Sequence, residues 1–173
     1  MPLPVLIFVL AAIALRFASL AVSIRNEKHL KADGAVEYGA RTSMALAAAH
    51  IAFYLAAIAE SVWRAKPVSP VTWSGVALYV LSICALWWVI ATLGRFWTVK
   101  LIIARDHALV TNPVFLKLRH PNYFLNILPE LLGFALALQA WTTLVAGLPL
   151  YAILLWRRIG QEEQVMRARF AGY

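Results

Sequence analysis

Residues 71–93 read VTWSGVALYVLSICALWWVIATL, a stretch of 23 residues with no charged side chain. About 20 apolar residues in a helix are enough to cross the hydrocarbon core of a bilayer. Residues 2–22 and 43–63 are similarly long and apolar, and 62% of the chain is hydrophobic against 14% charged. The sequence therefore predicts an integral membrane protein with three long spanning helices.

Two shorter apolar stretches, residues 123–138 and 143–156, flank the turn Gln139-Ala140-Trp141-Thr142. They predict a tight helical hairpin. We expect an all-α fold in one domain, with about five transmembrane helices, the hairpin as the last two, and a cytoplasmic C-terminal helix. The alternative is three spanning helices and a hairpin that dips into the membrane and returns.

The net charge of +8 is segregated by membrane side. Thirteen Lys and Arg residues fall in the loop after the first helix, in the region after the third, or at the C-terminus, whereas only Arg64 and Lys66 lie between the second and third helices. By the positive-inside rule the N-terminus is outside and the C-terminus cytoplasmic, as in a bacterial inner membrane. Because the basic residues form no single patch, a nucleic-acid partner is not predicted.

The first apolar stretch carries Arg16 and lacks a small-residue cleavage site, which favours a retained helix over a removable signal peptide. The single cysteine, Cys84, permits no disulfide within the chain. We predict no metal site.

Arg16, His50, Glu60 and Glu130 lie within the apolar stretches, and Glu60, near the end of the second stretch, is expected to be interfacial. Each charged residue at the centre of a membrane helix costs ~2.5–3.5 kcal/mol on insertion scales, so such residues face protein or water and are often functional. Arg16 and Glu130 either pair or snorkel for structural reasons, or belong to the functional site. A lone histidine on an apolar helix is more often structural than catalytic.

The long connection after residue 93 contains a second signal, the bend Leu118-Arg119-His120-Pro121-Asn122-Tyr123. A helix starting at Asn112-Pro113 should end before Pro121, because the residue preceding a proline is pushed out of the α region. Arg119 and His120 then lie at an irregular bend before the fourth helix. Donors beside a helix N-terminus suit a carboxylate or another anion.

The C-terminal stretch places Glu162 and Glu163 four and five residues after Arg158. Such a charge run is usually the solvated face of an amphipathic helix. Here, however, the hairpin returns the chain to the cytoplasmic side, which brings the two glutamates back towards the Arg-His-Pro bend.

Three motifs together resemble the isoprenylcysteine carboxyl methyltransferase family: His107-x-Leu109-Val110-Thr111, Leu118 to Tyr123, and Arg158 with Glu162-Glu163 and Phe170. This region, about residues 94–170, is also similar to phospholipid N-methyltransferases. The first half, with Arg25-Asn26 and Glu37-Tyr38-Gly39, looks like the short bacterial branch of the family, some members of which methylate alkylpyrones or alkylresorcinols.

The resemblance implies S-adenosylmethionine as cofactor, released as S-adenosylhomocysteine. Residues 107–123 would bind it on the cytoplasmic side, and the C-terminal helix would close over it. His120 and Tyr123 would hold the methionine carboxylate, Glu162 would shape the pocket, and Arg158 and Glu163 would flank the methyl-transfer site. The further cofactor-binding candidates of the segment are His107, Lys117, Arg119 and Asn122. Residues 113–116, Pro-Val-Phe-Leu, depart from the family's Gly-Pro-Tyr-Arg.

We therefore expect residues 1–93 to hold three membrane helices and the first cytoplasmic loop, and residues 94–173 to hold the cofactor segment, hairpin and C-terminal helix. The predicted activity is O-methylation of a lipophilic small molecule, a carboxylate, enol or phenol, that enters from the bilayer. The alternatives are a prenylcysteine carboxyl or phospholipid amine methyltransferase and, in another class, a non-catalytic membrane scaffold or small transporter.

Overall fold

The computed structural model describes residues 1–104 and 113–169. Three long helices form the first half: α1 (Leu3–Ala32), α2 (Ala40–Arg64) and α3 (Pro70–Leu93). Each is long and apolar enough to cross a membrane, the third together with a 3₁₀ turn at Gly94–Phe96. The prediction of an α-helical membrane protein is thus confirmed, with three helices long and apolar enough to span the bilayer.

Local sequence explains where these helices begin and end. The backbone after α1 turns at Gly34, whose φ of 80° lies in the left-handed region that glycine adopts without strain. At the start of α3, the Ser69 hydroxyl accepts from the Thr72 N–H while the Thr72 hydroxyl accepts from the Ser69 N–H, and Pro70 occupies the first turn. This reciprocal cap satisfies donors that the helix itself leaves unpaired.

A two-stranded antiparallel sheet, which the sequence did not predict, joins the two halves of the chain. Strand β1 (Val36–Tyr38) follows α1, and strand β2 (Leu101–Ile103) follows α3. Val36 lies opposite Ile103 and Tyr38 opposite Leu101. The sheet therefore holds the segment after α3 against the loop between α1 and α2.

The second half contains α4 (Pro113–Lys117), α5 (Leu128–Ala137) and α6 (Leu148–Arg169). As expected, α4 ends before Pro121. A π-helical turn, Asn122–Ile127, precedes α5, and a second, Thr143–Gly147, precedes α6. The helical hairpin is confirmed, but its second helix runs on without a break to Arg169, so the predicted C-terminal helix is the end of α6 itself.

The core of the bundle is the contact between α3 and α5, which approach at two glycines. A Cβ atom added at Gly133 would lie 2.7 Å from the Tyr79 nitrogen, and one added at Gly75 would overlap the backbone of Ala137. Small residues let membrane helices approach this closely, and the close packing replaces the hydrophobic driving force that lipid does not supply.

A buried polar cluster ties α1, α2, α3 and α5 together. Glu130 on α5 is fully buried, and its carboxylate accepts from Arg16 Nε at 2.6 Å and from the Tyr54 hydroxyl. The hydroxyl of Tyr79 lies 3.2 Å from that of Tyr54, and His50 Nε2 lies 3.5 Å from Glu130. Among the alternatives that the sequence left for Arg16 and Glu130, the structure shows that the two residues pair with each other.

Replacing Gly75 by alanine should destabilise the bundle, because the new methyl group meets backbone that cannot swing aside. We expect the free energy of unfolding to fall by ~1–3 kcal/mol, the usual cost of overpacking. Thermal unfolding of the detergent-solubilised protein measures it. Gly160→Ala is the matched control, since its Cβ meets no atom within 4 Å in a helix that favours alanine. Equal melting temperatures for both variants would contradict the close contact.

Candidate functional site

A cleft opens where the segment after α3, the bend before the π-helical turn, and α6 meet. Its apolar lining comes from the end of α3, the segment that follows it, β2, α4 and α6, and its polar lining comes from Thr98 and Lys100, from the bend and from α6. The polar residues that line it include Arg119, His120, Asn122, Tyr123, Arg158 and Glu162. The two clusters that the sequence analysis singled out, about forty residues apart in the chain, therefore share one cavity.

His120 lies between the two glutamates of α6. Its Nε2 is 3.4 Å from Glu163 Oε1, and its Nδ1 is 3.6 Å from Glu162 Oε1, too long for a full hydrogen bond. The histidine is buried, and both glutamates are half-buried. The contacts are therefore largely electrostatic, and they draw the end of α6 onto the bend.

Tyr123 connects Glu162 to Arg158. Its hydroxyl donates to Glu162 Oε2 at 2.6 Å and accepts from Arg158 Nε at 3.4 Å. Arg158, itself buried, also donates to Ser43 Oγ of α2 at 2.8 Å and to the Val99 carbonyl at 3.4 Å. The arginine thus contacts neither glutamate directly, but joins α2, the segment after α3 and the bend to α6.

These contacts shift two titrations in opposite directions. Burial opposes protonation of the His120 imidazole, yet the carboxylates of Glu162 and Glu163 outweigh burial and raise its pKa above 6.5. Burial likewise opposes ionisation of Glu162, but the nearby His120 imidazolium and the hydrogen bond from Tyr123 lower its pKa below 4.5. At a pH between 4.5 and 6.5, the cleft therefore holds the imidazolium of His120 beside the carboxylate of Glu162.

The other predicted site residues are distributed unevenly. Arg119 and Asn122 line the cleft, and Asn122 accepts a hydrogen bond from Asn126 at 3.3 Å. Lys117 is exposed on α4 and does not line it. His107 lies outside the described residues. Within the described ranges, no group of three or more His, Cys, Asp and Glu residues is placed to hold a metal ion.

Sequence reasoning missed the contributions of α1 and α2 to this site. Ser43 of α2 holds Arg158, while Ser23 and Asn26 of α1 hold the backbone of the segment after α3 through Val99 and Trp97. One signal was present in the sequence: Val5, Val9, Ala12, Arg16, Ser19, Ser23, Asn26 and Leu30 recur at alternating spacings of four and three. Such a repeat marks the packed face of a helix, and here that face turns polar towards the cleft.

Comparison with known proteins places the chain in a family. The family model described as isoprenylcysteine carboxyl methyltransferase matches residues 75–168. An uncharacterized protein of Haemophilus influenzae is 45% identical over 91% of this chain and 92% of its own length. The uncharacterized protein YpbQ of Bacillus subtilis is 33% identical over 88% of this chain and 90% of its own length. No solved structure matches the chain.

The paired titrations predict how pH acts on stability. Because the folded-state pKa of His120 is raised, its contribution is complete below pH 6.5 and is lost as pH rises through the folded pKa. Because that of Glu162 is lowered, its contribution is complete above pH 4.5 and is lost as pH falls through the folded pKa. The combined contribution of His120 and Glu162 to the stability of the fold is therefore largest between pH 4.5 and pH 6.5.

Melting temperatures of wild type and His120→Gln, measured from pH 4 to pH 9, test this expectation. The difference between the two proteins should be greatest between about pH 4.5 and 6.5 and should shrink on the alkaline side. His29→Gln, at an exposed position near the end of α1, is the control and should show no such profile. A pH-independent difference for His120→Gln would contradict the proposed ion pair.

Proposed function

The chain belongs to the isoprenylcysteine carboxyl methyltransferase family, and we propose that it transfers a methyl group from S-adenosylmethionine to an oxygen atom of a lipophilic small molecule. One observation carries the proposal. The bend at His120 to Tyr123 and the polar end of α6 converge on a single cleft lined by a histidine, a tyrosine, an arginine and the carboxylate of Glu162, with the carboxylate of Glu163 3.4 Å from His120.

The residues of the cleft fit this cofactor on both sides. The cofactor joins a charged amino acid to a nucleoside with a flat base, and the cleft is lined by both charged and apolar side chains. His120 Nδ1 is buried without a hydrogen-bond partner among the described residues, so it has a donor available for the methionine carboxylate, with Tyr123 beside it. Glu162 and Glu163 would offset the positive charge of the cofactor's sulfonium and ammonium groups. When bound, S-adenosylmethionine supplies an electrophilic methyl group.

Arg158 and Glu163 would flank the reacting oxygen of the acceptor. For a phenol or an enol, Glu163 would accept the hydroxyl proton as the oxygen takes up the methyl group, and S-adenosylhomocysteine would leave. The Arg158 guanidinium, already fixed by Ser43 and Val99, would orient the acceptor oxygen. An acceptor that is already a carboxylate would need no base. Much of the rate would come from orientation, which is worth ~7–11 kcal/mol when two reactants are well aligned.

An apolar groove between α2 and α6 supports a lipophilic acceptor. It has a volume of about 420 Å³ and is lined by small and apolar side chains, among them Ala49, Ala52, Ala146 and Leu150. The groove reaches Leu154, one helical turn before Arg158 on α6. An alkyl chain lying in it would point its polar head towards the cleft, while the cofactor would enter from the cytoplasmic side that the basic loops indicate.

Binding of S-adenosylhomocysteine by calorimetry tests the proposal most directly. We expect micromolar binding to the detergent-purified wild type, and at least a tenfold loss with His120→Ala, because a charged hydrogen bond in such a site contributes ~1.5–3 kcal/mol. His29→Ala serves as the control. No binding by a wild type that unfolds cooperatively would favour a membrane scaffold or small transporter instead.

Turnover separates the role of Glu163 from that of the cofactor site. Transfer of labelled methyl groups from S-adenosylmethionine to a long-chain alkylphenol should fall by about 10²–10⁴ in Glu163→Gln, the usual contribution of a general base. Affinity for S-adenosylhomocysteine should change far less. A short-chain phenol should be methylated poorly by wild type, because it cannot fill the apolar groove. Equal turnover of wild type and Glu163→Gln would exclude the glutamate as the base.

A further inference from the structure

Trp97 stands in the cleft with its backbone fixed on two sides. The Trp97 N–H donates to the Gly94 carbonyl at 3.2 Å, and the Trp97 carbonyl accepts from Asn26 Nδ2 of α1 at 2.9 Å. Two residues later, the Val99 N–H donates to Ser23 Oγ at 2.9 Å. These bonds to α1 set the position from which the indole ring projects.

The indole N–H has no acceptor in the part of the chain that the structure describes. Trp97 is only 4% exposed, yet its Nε1 atom is buried without a hydrogen-bond partner, although the residue lines the cleft. A buried donor without a partner is unfavourable, and tryptophan in folded proteins usually satisfies its N–H. An unused donor at the edge of a ligand cleft therefore indicates a bond that forms only when a ligand is present.

The surroundings of Trp97 define the chemistry of that ligand group. The cleft lining contributed by residues 93–103, around Trp97, is mostly apolar, with Leu93, Phe96, Leu101, Ile102 and Ile103, and Lys100 is its one charged side chain. A mostly apolar surface with one placed donor suits a flat aromatic ring that carries acceptor atoms at its edge. The adenine ring of the proposed cofactor has this character, since its faces are apolar and its ring nitrogens accept hydrogen bonds.

We propose that the Trp97 N–H donates to a ring nitrogen of the cofactor's adenine, so that the segment after α3 selects the base while the bend and α6 hold the amino acid. This assignment rests on the proposed use of S-adenosylmethionine. It places the nucleoside against α3 and β2 and directs the sulfonium end towards Arg158 and Glu163.

Calorimetry with S-adenosylhomocysteine and Trp97→Phe, which keeps an aromatic ring and removes the N–H, tests the assignment. The dissociation constant should rise about 3- to 10-fold, the value of one neutral hydrogen bond. Trp87→Phe, at an exposed position of α3, is the matched control and should bind as wild type does. Melting temperatures of all three proteins show whether each is folded.

The 1-deaza, 3-deaza and 7-deaza analogues of S-adenosylhomocysteine identify the acceptor atom. One of them should bind wild type more weakly by a similar factor, and Trp97→Phe should not distinguish that analogue from the parent compound. Equal affinity of wild type and Trp97→Phe for the parent would overturn the inference while leaving the proposed function standing. No binding to wild type would remove both. If Trp97→Phe does not fold, wild-type binding that is the same for all analogues overturns the inference, and a selective loss supports it.

Discussion

Glu130 sets the constraint around which the membrane helices are arranged. A carboxylate with no exposure among apolar helices must be paired, and Arg16 and Tyr54 reach it from α1 and α2. A buried ion pair often contributes little net stability compared with apolar residues, but removing one partner costs ~3–5 kcal/mol. The best-supported role of a buried ion pair is to fix the register of one helix against another. Here the pair fixes the height at which α1 packs against α5, and Tyr54 extends the same constraint to α2 and, through Tyr79, to α3.

The register of α1 matters because the same helix face continues to the cleft. Ser23 and Asn26 lie two and three turns beyond Arg16, and they hold the backbone of the segment after α3. A shift of α1 by one turn, ~5.4 Å, would break both contacts. On the other side, Ser43 of α2 holds Arg158. The first two helices lie outside the region that the family model matches, yet they position groups within it.

The parts of the fold that sequence could predict are those governed by local chemistry. The composition of residues 71–93 predicted the helix α3, and the Ser69-Pro70 cap and the turn at Gly34 are set by residues within one turn of each helix end. Likewise, two short motifs were enough to predict that His120, Tyr123, Glu162 and Glu163 come together. Strands β1 and β2 were missed because three residues carry no periodic signal and pair across more than sixty positions. The contact of Ser43 with Arg158 and the position of Trp97 in the cleft were missed because they depend on helix packing, which spacing within one segment does not encode.

Glu162 and Glu163 of α6 are held differently. The surroundings of Glu162 suit a structural role, and those of Glu163 suit proton transfer. Glu162 is bound through Tyr123 to the buried guanidinium of Arg158, and moving it would disturb α2 and the bend as well. Glu163 has looser partners: His120 at 3.4 Å and Arg167, an exposed residue one turn further along α6. A general base must approach its substrate and exchange a proton, which a fully anchored carboxylate cannot do without breaking its bonds. Adjacent acidic residues with unlike surroundings take unlike roles. Under the proposed function, Glu162 would therefore keep the cleft in shape while Glu163 receives the acceptor's proton.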